Sequence, residues 1–312
     1  MFDAPLKQNE LIGFHNQFNE IINLFKSSNK LNKLLFSGKK GIGKSTFAYH
    51  FINYVFSINE DYKYNCEKNF INENNSSYKL IKSRTHPNLF VVDLKDDKTS
   101  IDILQIRELI KFANKSTFND KIKIVLIDNA EYLNKNASNS LLKILEDDNS
   151  KLFFILIHDS EKKIIDTIKS RCIKFNLILD KQYKNKILNK FLETNNLPLI
   201  NKDFLIYYSS PGKIINYCKF CSDNNIDFKK NTIESFLKQI INNKKLFNDP
   251  YVKSNISNFI ELYLYKKFFI EKKNLKFKSF HYSVLKKINL FKKFNLDFES
   301  FLMDFNNLLI NE

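Results

Sequence analysis

The sequence predicts an α/β protein: a P-loop parallel-sheet domain, then a small helical lid and a C-terminal all-helical domain. Three observations predict it. The apolar run Leu34-Leu35-Phe36 leads directly into Gly38-Lys39-Lys40-Gly41-Ile42-Gly43-Lys44-Ser45, and a helical pattern opens behind it. From about Leu11 to Cys172 strand-like and helix-like segments alternate, as they do in parallel sheets covered on both faces. Beyond Phe175 the strand signals fade, and apolar residues recur at helical spacing.

In chain order, residues 15–25 have the amphipathic spacing of a helix, and residues 44–56 form the helix behind the glycine loop. Residues 57–84 read as a polar, Asn-rich insertion with little periodicity. A strand at 89–92 is followed by a helix at 101–112, a strand at 122–127, a helix at 136–145, a strand at 152–157 and a helix at 162–169. In the second half, 180–193 is a charged amphipathic helix. Pro211-Gly212 breaks a second helical region ahead of 213–220, and helical spacing returns at 259–270 and 282–294. The chain divides on this reading into 1–175 (nucleotide-binding), 176–222 (lid) and 223–312 (C-terminal helices).

With 312 residues and 43% hydrophobic content the chain can bury a sizeable core. No run approaches the ~18 apolar residues of a membrane span. Met1-Phe2-Asp3-Ala4-Pro5 lacks the basic-then-apolar pattern of a signal peptide. Cys66, Cys172, Cys218 and Cys221 do not form a disulfide framework, so the expected compartment is the cytoplasm. The net charge of +16 has two readings: a footprint for nucleic-acid phosphates, or a nucleotide bias favouring Lys, Asn, Ile and Phe. That bias makes the rare residues informative. Three of the five glycines, Gly38, Gly41 and Gly43, lie in the loop, and arginine occurs only at Arg84, Arg107 and Arg171.

The loop matches G-x-x-x-x-G-K-[ST] between a strand and a helix, the context that gives the motif its meaning. Amides of residues 41–44 would ring a β-phosphate at the positive helix end, with Thr46 following in the first turn. Lys44 would reach the β- and γ-phosphates and the Ser45 hydroxyl would ligate Mg²⁺, which makes ATP and Mg²⁺ the expected cofactors. Ile124-Val125-Leu126-Ile127-Asp128 supplies the acid on the metal side; a helix-capping Asp is its structural alternative. Next to it stands Asn129, which hydrogen-bonds but cannot act as a base, so weak or absent hydrolysis is expected. Glu131 lies two residues further on.

Further motifs carry a specific resemblance. Lys135-Asn136-Ala137-Ser138-Asn139-Ser140-Leu141-Leu142-Lys143-Ile144-Leu145-Glu146 follows the Asp128 strand, and Ser170-Arg171-Cys172 ends the next helix. With Leu11-Ile12-Gly13, His86-Pro87-Asn88 and Gln105-Ile106-Arg107-Glu108-Leu109, these resemble the bacterial clamp-loader branch of the AAA+ ATPases, associated with DNA polymerase III. The resemblance covers about residues 11–220; beyond that the match is in length and helical character, as for an oligomerising collar.

The resemblance implies a replication protein and a hetero-oligomer with gamma/tau-type and delta-type subunits. It implies contact with the sliding clamp and primed DNA through that complex, membership of a nucleotidyltransferase assembly, and no membrane partner. It gives Arg171 the role of an arginine finger on the γ-phosphate of a neighbouring subunit. The sensing of γ-phosphate at the end of the 152–157 strand falls on His158 or Asp159, and the lid's sensing position lies near Lys213. The insertion holds only Cys66, so the four-cysteine zinc module of many relatives cannot be assembled, and no zinc ligand is assigned. Two further readings stay open: a self-sufficient AAA+ ATPase of motor or repair type, and a Lys-rich DNA-binding module.

Overall fold

The computed structural model describes residues 4–27, 31–95, 98–115, 122–147, 151–195, 197, 199–205, 210–227, 229–270, 275–294 and 297–310. It divides into two compact units. The first holds residues 1–195 with 210–213, and the second holds 196–209 with 214–312.

In the first unit, β1 (Lys33–Gly38), β2 (Leu89–Val92), β3 (Lys123–Ile127), β4 (Leu152–Asp159) and β5 (Ile173–Asn176) pair in parallel in the order β2-β3-β4-β1-β5. Alternation across the sheet builds two cores. Leu34, Phe36, Ile124, Leu126, Phe153, Ile155 and Ile157 join one, and Leu35, Val125, Ile127, Leu152, Phe154 and Leu156 join the other. Because both faces are covered, the central strands read as continuous apolar runs.

The first core is closed by α1 (His15–Ser27), α2 (Lys44–Ser57) and α3 (Ser76–Lys82), through residues such as Phe18, Phe47, Phe51 and Tyr78. Phe47 receives the ring edges or faces of Phe14, Phe18 and Phe36 at 5.1–5.7 Å, spacing typical of favourable edge-to-face pairs. The second core is closed by α4 (Ile103–Asn114), α5 (Lys135–Glu146) and α6 (Asp166–Lys169). A capping box starts α4, with Asp102 accepting from the Leu104 and Gln105 amides. At its other end Lys123 of β3 is buried, and its Nζ donates to the carbonyls of Phe112, Ala113 and Lys115. These carbonyls end α4, where intrahelical donors run out.

The 57–84 insertion is more ordered than its sequence suggests. Tyr64, Ile71, Tyr78 and Ile81 are buried in the first core, and Asn75 caps α3 through the Tyr78 amide. Asn75 Nδ2 donates to Glu60 Oε2 at 2.7 Å and its Oδ1 accepts from Asn53 at 2.9 Å. The predicted 162–169 helix shortens to α6, because Ile164 turns into the second core and Ile165 stands at the N-cap. After β5, α7 (Lys181–Thr194) completes the first unit together with residues 210–213.

The second unit is helical among its described residues. It holds most of α8 (Pro211–Asp223), then α9 (Ile233–Asn242), α10 (Lys244–Phe247), α11 (Pro250–Ile270), α12 (Leu275–Phe294) and α13 (Phe298–Ile310). Pro211 starts α8 rather than breaking it, since a proline in the first turn gives up no helical hydrogen bond. Phe236, on the apolar face of α9, meets the rings of Phe204, Tyr217 and Phe259. Lys266 Nζ donates to Asp203 Oδ2 at 2.7 Å, and the same oxygen caps the Ile233 amide. Cys218 and Cys221 lie buried within this unit, and burial raises both thiols to about 12. No described helix is long and apolar enough to cross a membrane.

Candidate nucleotide site

The site is set by strand order. β4 lies between β1 and β3, so the carboxyl end of β4 must sit between the glycine loop after β1 and the acid after β3. Open parallel sheets bind ligands at such carboxyl ends.

The loop leaves β1 at Gly38 and turns through Gly41 (φ +82°) and Gly43 (φ +104°) into α2. Gly43 is the N-cap and has no side chain to satisfy the first-turn amides, which leaves them for an anion. Ile42 is buried, Lys39 and Lys40 are exposed, and Ser45 and Thr46 lie in the first turn of α2. Lys44 is only 7% exposed. Its Nζ donates to the carbonyls of Gly38 at 2.7 Å and Lys39 at 2.9 Å. Burial is the main cause that lowers its pKa, Lys40 adds to this, and Asp159, Glu131 and Asp128 oppose it in that order.

Asp128 follows β3, and its Oδ2 accepts from Ser45 Oγ at 2.5 Å. The two oxygens assigned to Mg²⁺ are thus brought together across 83 residues of sequence, and they are the hard donors that ion prefers. Burial raises the Asp128 carboxyl to about 6. The Ser45 hydroxyl, the Asn129 amide and Lys44 pull the other way, while Asp93 adds to the rise. Asn129 has φ +57°. This left-handed turn sends its Nδ2 to Asp93 Oδ1 at 2.7 Å, at the end of β2.

The sequence left the sensing position open between His158 and Asp159, and both stand at the end of β4. Ser37 pairs with His158 and Gly38 with Asp159 in the sheet register. The His158 ring is engaged by Ser37 Oγ at 3.3 Å and by the Lys162 carbonyl at 2.9 Å. Asp159 is 6% exposed; its amide donates to Glu131 Oε2 at 3.2 Å and its Oδ1 accepts from the Glu161 amide at 3.1 Å. Of the two residues, Asp159 is the one whose charge reaches Lys44. The signal available in sequence was the acid itself, two residues past the apolar run 152–157.

Residues 210–213 close against the loop. Ser210 Oγ donates to the Lys40 carbonyl at 2.6 Å, and the Gly212 amide donates to the Gly41 carbonyl at 2.8 Å. A Cβ on Gly212 would lie 2.9 Å from the Gly41 Cα, so only glycine permits this approach. Lys213 Nζ stands 4.0 Å from Glu161, and Lys39 Nζ 3.8 Å from the same carboxylate. Arg171 is elsewhere in the unit. Its Nη1 donates to the Thr167 carbonyl at 2.9 Å, and its Nη2 meets Glu146 Oε1, at the end of α5, at 2.5 Å. The guanidinium remains one-third exposed.

The sheet order, the phosphate loop and the acid at the end of β3 define a P-loop protein with a parallel sheet. The family described as "DNA polymerase III, delta subunit" matches residues 15–180, more than half of the chain, and the protein belongs to that family. The chain is similar to three proteins named DNA polymerase III subunit delta′. It is 35% identical to that of Pseudomonas aeruginosa over 95 residues (30% of this chain, 29% of the relative). For Bacillus subtilis the figures are 32% over 158 residues (50% and 45%). For Buchnera aphidicola subsp. Baizongia pistaciae they are 30% over 193 residues (56% and 56%). The matches thus span between 29% and 56% of these relatives' lengths.

Proposed function

We propose that this chain is a delta′-like subunit of a DNA polymerase III clamp loader, one that holds a nucleotide and turns it over little or not at all. In this reading the chain joins gamma/tau-type and delta-type subunits in a cytoplasmic hetero-oligomer, which uses ATP to load the sliding clamp onto primed DNA. A nucleotide-binding unit to 175, a lid to 222 and an oligomerising helical collar beyond serve that assembly. Mg²⁺ would supply charge neutralisation between the β- and γ-phosphates, held through Ser45 and Asp128. The loop amides and Lys44 would grip the β-phosphate, and a bound nucleotide would stabilise one domain arrangement.

One observation carries the low-turnover reading. Asn129, where a water-orienting carboxylate is needed, is bonded to Asp93 rather than aimed at the loop. Co-expression with candidate gamma/tau-type and delta-type subunits, followed by native mass spectrometry, tests the assembly and reads the bound nucleotide directly. A chain that stays monomeric and nucleotide-free in their presence rejects the proposal.

Arg171 would act in trans on a neighbour's γ-phosphate, where a planar guanidinium can pair bidentately with phosphate oxygens. Arg171→Ala is therefore expected to leave this chain's own nucleotide affinity within about twofold. DNA-stimulated ATPase of the assembled complex should fall by about 10³-fold, the lower range for an arginine finger. Equal loss in a binding titration and in the ATPase assay would sink the trans role.

A second reading, a self-sufficient ATPase, draws on Glu131, whose carboxylate lies near Lys44 and bonds to the β4 end. Steady ATP hydrolysis by the purified chain, abolished in Glu131→Gln, would favour it.

A further inference from the structure

If the loop holds a nucleotide, as proposed above, the groups beyond the β-phosphate decide between diphosphate and triphosphate. A γ-phosphate would have to enter the space bounded by Lys44, Asp128 and the end of β4. Asp159 pairs with Gly38 in the sheet register, and Lys44 Nζ donates to the Gly38 carbonyl at 2.7 Å, which sets the end of β4 beside the lysine; of the acids acting on Lys44, Asp159 comes before Glu131 and Asp128. Neither Asp159 nor Glu131 is free to swing aside. The Glu131 carboxylate is held by the Asp159 amide, and the Asp159 carboxylate by the Glu161 amide. Asp159 is buried, so water and salt screen its charge poorly. Two further cations at the loop, Lys39 and Lys213, share the Glu161 carboxylate.

A β-phosphate needs none of this region, since the loop amides and Lys44 suffice. Mg²⁺ offsets two charges on either nucleotide alike, so the difference between them persists. We propose that the site holds a nucleoside diphosphate more tightly than the triphosphate, and that Asp159 is the residue setting that preference. The Asp159 charge sits beside the γ-phosphate seat and opposes an anion entering it. The nucleotide retained by this chain is then the diphosphate, a form compatible with a subunit that holds one conformation while others cycle.

Calorimetric titration of the full chain with ADP and with the β,γ-imido analogue of ATP, both with Mg²⁺, tests the proposal. Wild-type protein should bind ADP about tenfold more tightly than the analogue, the difference that one strong charge interaction makes. In Asp159→Asn, which keeps an oxygen for the Glu161 amide, the ratio should shrink to within about threefold, through tighter binding of the analogue. Asp159→Ser is the second variant, should the first fold poorly. Wild-type protein that prefers the analogue, or a variant that weakens both ligands equally, overturns the preference while leaving the nucleotide reading intact. Wild-type protein that binds neither ligand overturns both.

Discussion

Asp128→Asn is expected to raise the stability of nucleotide-free protein and to lower its Mg²⁺-dependent nucleotide affinity at least ~100-fold, two effects of opposite sign from one charge. The carboxyl is shifted upward by burial to about 6, from 3.8 in the unfolded chain. Between those values the folded state binds more protons than the unfolded state, so stability falls as pH rises through the window. The cost is absent below about pH 4 and complete above about pH 6. A shift of this size corresponds to at most about 3 kcal/mol, reduced here to about 1–2 kcal/mol because solvent still reaches the group. An asparagine can retain both hydrogen bonds, with its oxygen taking the Asn129 amide and its Nδ2 donating to Ser45 Oγ. Urea unfolding at pH 7.5 and pH 4 is the measurement: the variant should gain at the higher pH and match wild type at the lower. No gain at pH 7.5 would mean that the buried charge is already compensated.

The cost at Asp128 bears on what the sequence could reveal. The strands are legible because both faces of the sheet are covered, so that 124–127 and 152–157 are apolar without interruption. The loop is legible because its glycines stand out in a chain with so few. Strand order is not legible, since nothing local in β4 records that it inserts between β1 and β3. The contribution of Asp159 depends on that insertion, and so could not be weighed against His158 by reading alone. The insertion at 57–84 was hidden for a different reason. Its buried residues Tyr64, Ile71 and Tyr78 stand seven apart with mostly polar residues between them, too sparse to read as an apolar face, and its Asn residues read as loop formers although Asn75 is buried and bonded to Asn53 of α2. Glu131 was likewise set by tertiary placement: a short turn at Ala130–Tyr132 brings it under the end of β4.

The three glycines of the loop answer to different constraints, and substitution separates them. Gly38→Val should cost about 3 kcal/mol or more of folding stability, the upper part of the range for forced overpacking. A Cβ at this position would lie 2.5 Å from the Leu177 carbonyl oxygen and 2.7 Å from Ile42 Cδ1. That carbonyl belongs to backbone that cannot retreat, because the Leu177 amide is bonded to the Ser37 carbonyl at 2.8 Å as the chain leaves β5. The two methyl groups of valine extend the clash into the seam between β1 and β5. Gly43→Ala meets only Phe14 Cε2, at 3.5 Å, but must hold φ +104°, a strain of about 1–3 kcal/mol. Its variant should therefore stay folded and lose the amide geometry that an anion needs, whereas Gly38→Val should fail first in folding. Thermal unfolding alongside nucleotide titration distinguishes them, and a Gly38→Val protein as stable as wild type would show that β5 can shift away from β1. The first glycine of this phosphate loop is thus required by the neighbouring strand, and the third by the turn that presents the helix end to phosphate.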